Sequence, residues 1–336
     1  MKPSVALPIA AIVSIAILMG GCGGMETKPA GSKYPEKTIT MIVPHGVGGG
    51  TDLIARELEK KAIAYLGQPL VVVNKPGGGG TIGWNELASA NPDGYTLGIV
   101  GNEIVLHPLY GQTKFHYPTA LEPVIQISSG SSVLVVQANQ QWKTIGDLVA
   151  YAKQHPGQIK FAHTGIGSIH HVIGEMFAKA TGIAIEQVPF RGAGEVASAL
   201  LGGHVQMAII GPAVIKEHIK HGSLRALAVS PGKRLSDTEL QSIPTFKEQG
   251  IDVVCSYWMG IGAPKGLPAD VKVKLTNAFA QIVTSDEFKA SQEKLGLEVD
   301  YLDSQATAVK WLEEGDKFAK VIQETGIADL IKTQKK

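Results

Sequence analysis

From residue 38 onward, short apolar runs alternate with amphipathic stretches, and the alternation predicts strands and helices in turn. Thr38 to Pro44 (TITMIVP) reads as a buried strand. The loop Gly46 to Gly50 leads into a helix from Asp52 to about Leu66, with Leu53, Ile54, Leu58 and Ala62 along one stripe. Pro69 to Asn74 makes a second strand, ended by Pro76 and the glycines Gly77 to Gly80. A short helix from about Ile82 to Ala90 closes at the turn Asn91-Pro92-Asp93-Gly94, and Thr96 to Val100 is a third strand. This strand-helix order is the signature of a parallel sheet with right-handed crossovers.

The rhythm restarts after residue 143. Helices are predicted over Thr144 to Gln154, about Ile169 to Thr181, Gly194 to Leu201 and Ile215 to His221. Strands are predicted over Ile159 to Ala162, Ile185 to Val188, Val205 to Ile210 and Leu224 to Val229. Two extended segments without a helical pattern, Val124 to Gln137 and Val253 to Ala263, join this second α/β unit to the first. Two such crossings between two lobes suggest a hinge and a cleft. Helices over Ala269 to Thr284, Asp286 to Lys294 and Ser304 to Thr325 follow, expected to return over the first lobe. The expected division is residues 36–128 with 260–336 as lobe 1, and 129–259, hinge strands included, as lobe 2.

Ahead of the first strand the pattern differs. Met1 and Lys2 give a short positive start, Val5 to Met19 is almost wholly apolar, and Gly20-Gly21 bring minimal side chains up to Cys22. The run is short for a membrane span and suits a secretory signal. It resembles a bacterial lipoprotein signal, with residues 1–21 as signal peptide, Cys22 as the lipidated residue and 22–35 as a flexible tether. The expected location is extracytoplasmic, anchored to the lipid bilayer through Cys22. An ordinary signal with an incidental cysteine is the alternative.

Charge and cysteine count narrow the function classes. Thirty-one basic against 30 acidic residues leave a net charge of +1, and no Lys/Arg run exceeds two residues, the terminal Lys335-Lys336 included, so no nucleic-acid partner is expected. If Cys22 carries lipid, Cys255 has no disulfide partner; beside Val253 and Val254 it reads as a buried, inert thiol. No G-x-S-x-G or H-E-x-x-H occurs, so hydrolase chemistry has no motif behind it. The chain is read as a non-enzyme without a cofactor or metal, and as a monomer.

Glycine carries the candidate chemistry. The chain has 40, clustered at the ends of apolar runs, where close approach of the backbone is the usual reason for them. Two loops each run from a strand's carboxyl end to a helix's amino end: Pro44-His45-Gly46-Val47-Gly48-Gly49-Gly50-Thr51-Asp52, and Thr164-Gly165-Ile166-Gly167-Ser168. Both offer unpaired helix N–H groups and the positive end of a helix dipole, with Thr51 and Ser168 adding hydroxyls. Neither has a phosphate-loop lysine, so a carboxylate is the natural anion. Gly78, Gly80 and Gly83 fit G-x-G-x-x-G, with Glu103 twenty residues beyond Gly83. That dinucleotide fingerprint supports an alternative, a secreted nucleotide-dependent oxidoreductase. The run of glycines produces the match cheaply, and substitution at Gly79 is expected to spare ligand affinity. His163, His170 and His171 lie near the second loop, where surface or hydrogen-bonding roles outweigh a metal site.

The loop PHGVGGGTD (Pro44 to Asp52) is followed in order by NKPGGGGTIG (Asn74 to Gly83), NPDGYTL (Asn91 to Leu97) and TGIGSIHH (Thr164 to His171). PFRGAG (Pro189 to Gly194), GSLRALAVS (Gly222 to Ser230) and IPTFKEQG (Ile243 to Gly250) come after. Together these resemble the Bug/TctC family, the extracytoplasmic solute receptors of tripartite tricarboxylate transporters, from Tyr34 to the C-terminus. The resemblance implies a two-lobed α/β periplasmic-binding-protein fold (type II-like) that closes over a small carboxylate and presents it to membrane transport subunits. A ligand-presenting sensor shares that chemistry. Carried onto this chain, the implied binding positions are Gly49, Gly50, Thr51 and Asp52, then Thr164, Gly165, Gly167 and Ser168. Asn102 follows the third strand, Phe190 and Arg191 form the far wall, and His45 stands where Phe or Tyr is commoner.

Overall fold

The computed structural model describes residues 33–111 and 113–334. The expected signal peptide and lipidated Cys22, and the Lys335-Lys336 tail, lie outside the described residues. Two sheets form because the chain twice leaves one apolar layer to build another. The first half supplies β1 (Ile39–Val43), α1 (Gly50–Leu66), β2 (Leu70–Asn74), α2 (Thr81–Ser89) and β3 (Thr96–Gly101). Helices α3 (Glu103–Leu109) and α4 (Tyr117–Ala120) then lead into β4 (Leu121–Gly130). The second half supplies β5 (Val133–Gln137), α5 (Ile145–Gln154), β6 (Lys160–His163), α6 (Ile169–Thr181), β7 (Glu186–Pro189) and α7 (Ala193–Leu201). It ends with β8 (Met207–Ile210), α8 (Lys216–Lys220) and β9 (Leu224–Val229). The chain returns through β10 (Tyr257–Pro264), α9 (Ala269–Thr284), α10 (Asp286–Lys294), β11 (Glu298–Leu302), α11 (Ser304–Thr325) and α12 (Ile327–Gln334).

The first sheet runs β11-β4-β10-β3-β1-β2, the second β7-β6-β8-β5-β9. Strand β1 is parallel to β2 and β3, as its helical crossovers require. The sheets are nonetheless mixed. Strand β10 enters from the second half and lies antiparallel to β3 and β4, and β5 is antiparallel to β8 and β9. The extended stretch expected over Val124 to Gln137 is thus two strands, β4 and β5, belonging to different sheets.

Strand β5 shows how one chain segment serves two apolar layers. Its side chains alternate, Leu134 and Val136 joining a large cluster with Ile125, Trp84 and Phe161, and Val133 and Val135 joining a second with Ile210 and Leu200. The returning helices cover the first sheet, α9 packing on α1 and β4, and α11 on β4 and α3.

The crossings are pinned together. Ser132 and Ser230 exchange backbone and side-chain hydrogen bonds, Ser230 N–H to Ser132 O at 2.9 Å and Ser132 N–H to Ser230 Oγ at 3.1 Å. The Ser230 hydroxyl donates onward to Cys255 O at 2.6 Å, and Cys255 N–H returns to Ser230 O at 2.8 Å. Cys255 is free and buried, and burial pushes its thiol up to about 12.

Candidate functional site

A cleft of about 670 Å³, counted out to its open mouth, lies between the two sheets. One wall is the β1–α1 loop with His45, Gly49, Gly50 and Thr51; the opposite wall carries Thr164, Ile169 and His170 at the start of α6. Trp84, Tyr257 and Trp258 close its back, and Glu103 reaches into it from just beyond β3.

The two helix ends on these walls differ. Helix α1 begins at Gly49, which has no side chain to cap it, so its first amides face the cleft unsatisfied by their own helix. The Thr51 hydroxyl lies beside them, 3.4 Å from His45 Nδ1. Helix α6 is capped from within: Ser168 Oγ accepts the His171 N–H at 3.3 Å. The helix's first amide, Ile169 N–H, donates to Glu103 Oε1 at 3.2 Å. A carboxylate from one lobe thus already occupies the positive end of a helix in the other.

Burial sets the charge in the cleft. It lowers His45 to about 4, and it lowers His170 to about 3, with the nearby His45 charge adding to the effect. Both rings are therefore neutral near pH 7. His170 Nδ1 pairs with the Thr164 hydroxyl at 2.9 Å, while its buried Nε2 has no hydrogen-bond partner. Burial raises Glu103, and hydrogen bonds from its own amide and from Ile169 N–H partly offset this. No lysine or arginine is among the described residues of the wall.

The structure thus brings His45, Gly49, Gly50, Thr51 and Thr164 together around one cleft, and sets the other expected positions beside or behind it. Asp52 is 1% exposed and turned inward, accepting from Gly48 N–H (2.9 Å), Arg56 Nε (3.0 Å) and Asn74 Nδ2 (2.9 Å). Those bonds outweigh the desolvation that alone would raise its pKa, and hold it below the ordinary value. Asn102 is buried as a tie, accepting from Trp258 N–H at 2.8 Å and donating to Glu314 at 3.1 Å. Ser168 is the buried cap of α6, and Gly167 packs against His107 and Tyr110. Gly165, Phe190 and Arg191 line a separate, shallower groove with Gly77 to Thr81.

In that groove Gly79 meets the second half of the chain directly. With φ +65, its missing Cβ would stand 2.8 Å from Ile166 O and 3.1 Å from His107 Nε2. The first loop does the same on its side: Gly46 N–H donates to Arg191 O at 3.0 Å, and a Cβ on Gly192 would meet Gly46 N at 2.9 Å. Glycines from the two halves let backbone meet backbone across the lobes. Of the surface or hydrogen-bonding roles expected for the histidines near the second loop, the structure shows hydrogen bonding: His163 Nδ1 lies 3.0 Å from Gly165 O, His170 Nδ1 2.9 Å from the Thr164 hydroxyl, and His171 Nδ1 accepts from Gly167 N–H at 3.0 Å. His163 and His171 stack at 4.4 Å with both residues buried, and no group of three metal-ligating side chains forms among the described residues. Sequence reasoning missed Trp84, Tyr257 and Trp258 as walls, and noticed Glu103 only for its distance from Gly83. An acid two residues past the strand's carboxyl edge, opening the apolar run Ile104 to Leu106, was the available signal.

The family model described as the tripartite tricarboxylate transporter family receptor matches residues 54–327. The chain is 32% identical over 307 residues to protein BugT of Bordetella pertussis, covering 90% of this chain and 94% of that one. The solved periplasmic binding protein BugD superposes with a TM-score of 0.83 at 29% identity, over 87% of this chain and 99% of that chain. An R. palustris protein solved with adipate superposes with a TM-score of 0.82 at 28% identity, over 87% and 98%. No helix of the described residues is long and apolar enough to cross a membrane.

Proposed function

Because the chain belongs to the receptor family of tripartite tricarboxylate transporters, we propose that it captures a small carboxylate in the interlobe cleft and delivers it to membrane transport subunits. Members of this family are periplasmic solute-binding proteins, and the fold here is theirs. The observation that carries the ligand assignment is the uncapped α1 N-terminus opening on an apolar cleft between lobes. Amides of Gly50 and Thr51, the Thr51 hydroxyl and the His45 ring would hold the carboxylate. Thr164 and His170 would close from the other lobe. Asp52 would act by holding the loop, through its bond to Gly48 N–H, and Asn102 by tying β3 to β10. Adipate in a similar protein supports an acid of modest size.

The protein would work as a monomer, outside the cytoplasm, tethered through a lipid on Cys22. A thermal-shift screen of mono-, di- and tricarboxylates tests the ligand class, since a compound bound only by the folded state raises the melting temperature. Absence of any shift across small acids would overturn the assignment. Cys22→Ser should release the chain from membranes or block its processing. Normal cleavage with persistent membrane association would exclude the lipid anchor.

A further inference from the structure

We propose that the ligand is a zwitterion, an acid that also bears a positively charged nitrogen, with Glu103 receiving the nitrogen and the α1 N-terminus the carboxylate. The proposal rests on the carboxylate reading of the cleft given above. Glu103 is 6% exposed, and it is the only acidic side chain among the described residues of the cleft wall. Its Oε1 is engaged by one amide, Ile169 N–H, and its Oε2 lies against Gly101, where a Cβ would come within 3.1 Å. No lysine or arginine on the wall offers it a counter-charge. A buried carboxylate without a cation is costly to ionise, and burial does hold this one toward its neutral form. A ligand ammonium would supply the missing charge, in the charge-assisted hydrogen bond that such pairs make best.

The remaining walls fit the same ligand. Trp84, Tyr257 and Trp258 present aromatic surface, which attracts a cation as well as an aliphatic body. The histidines facing each other from the two lobes are neutral, so neither offers a standing positive charge to a second carboxylate. Charged partners on the two helices are spoken for. Asp52 pairs with Arg56 on α1, and His171 approaches Glu175 at 3.4 Å on α6. A diacid would therefore set its second negative charge near Glu103 with nothing to offset it, whereas a zwitterion brings one charge of each sign to the two places built for them.

Calorimetry at pH 7 on the purified full chain, stripped of bound ligand, tests this with length-matched pairs: propionate and β-alanine, butyrate and γ-aminobutyrate, isovalerate and valine. Succinate and propylamine complete the set. At least one amino compound should bind ten-fold or more tighter than its matched acid. Glu103→Gln keeps an oxygen to accept the Ile169 N–H, and should shrink that preference to within about three-fold, a loss of the size a charged hydrogen bond carries. Should the variant fail to fold in a thermal melt, the matched pairs on the native chain decide alone. Plain acids or succinate binding as tightly as the amino compounds would overturn the zwitterion, as would an undiminished preference for the amino compound in a folded Glu103→Gln. If no carboxylate-bearing compound binds, or propylamine alone does, the carboxylate reading of the cleft falls and takes this proposal with it.

Discussion

Helices α1 and α6 both start from a glycine loop at a strand's carboxyl edge, and both face the same cleft, yet one end is open and the other is closed. At α1 the cap position is Gly49, and the nearest acid, Asp52, turns away to Gly48, Arg56 and Asn74. At α6, Ser168 and Glu103 satisfy the first amides from inside the protein. Similar local sequence therefore does not make similar sites. What decides is which side chain the rest of the fold delivers to the helix end.

The largest effect is expected where the α6 side meets the first lobe. Gly79→Val would force a β-branched residue into a left-handed backbone and drive its Cβ against Ile166 O. Left-handed strain of about 1–2 kcal/mol plus overpacking of about 1–3 kcal/mol predicts a roughly 30-fold or greater loss of ligand affinity, through loss of the closed arrangement. Unchanged affinity in a folded variant would show that the contact is absent from the bound state.

Paired substitutions at the two helix ends sharpen the contrast. Thr51→Ala should weaken binding of the screened carboxylate roughly 10- to 150-fold, for a lost charge-assisted hydrogen bond of about 1.5–3 kcal/mol. Ser168→Ala should leave binding within about three-fold, yet lower stability by about 1 kcal/mol through loss of a cap. Calorimetry and denaturant melts separate the two, and a reversed pattern would mean that the ligand sits at α6.

The pH-dependent effects come from the two acids, whose shifts have opposite signs. Asp52, held below its ordinary value, stabilises the fold above the unfolded pKa near 3.8, and that contribution disappears as pH falls through the lower folded value. Asp52→Asn should therefore cost roughly 1.5–3 kcal/mol near neutral pH and progressively less in acid. Glu103 is raised, so its ionised form costs stability at neutral pH and the cost vanishes as pH falls through the folded value. Glu103→Gln should leave the ligand-free protein as stable as the native chain or more so at pH 7, with the difference closing toward acid. Melts across pH 3 to 8 read both slopes.

Periodic patterns made most of the fold legible. The reading of α6 matches its observed span, Ile169–Thr181, because a serine cap, an apolar stripe and a following glycine all mark it. Helix α3 escaped notice because Glu103 to His107 are all buried, which leaves no amphipathic face, and Pro108 interrupts the pattern. Strand β11 escaped because it is a half-buried edge with irregular register, and Glu298 and Asp300 break its apolar run. At the site, glycine clusters marked the right loops. They could not say whether a ligand or another stretch of backbone would approach Gly79, Gly165 or Gly192, since both need the same missing Cβ. The cap at Ile169 was hidden for a similar reason: Glu103 is 66 residues away in the chain, and nothing in either segment names the other.

The thiol beside the crossings has a practical consequence for watching this protein at work. Cys255 is buried and resists ionisation, so maleimide reagents, which need thiolate, should pass it by at neutral pH. Val47, on the glycine loop beside the cleft, is 66% exposed. A cysteine placed there could carry an environment-sensitive dye with little background from Cys255, and the receptor would then report its own occupancy as a change in fluorescence.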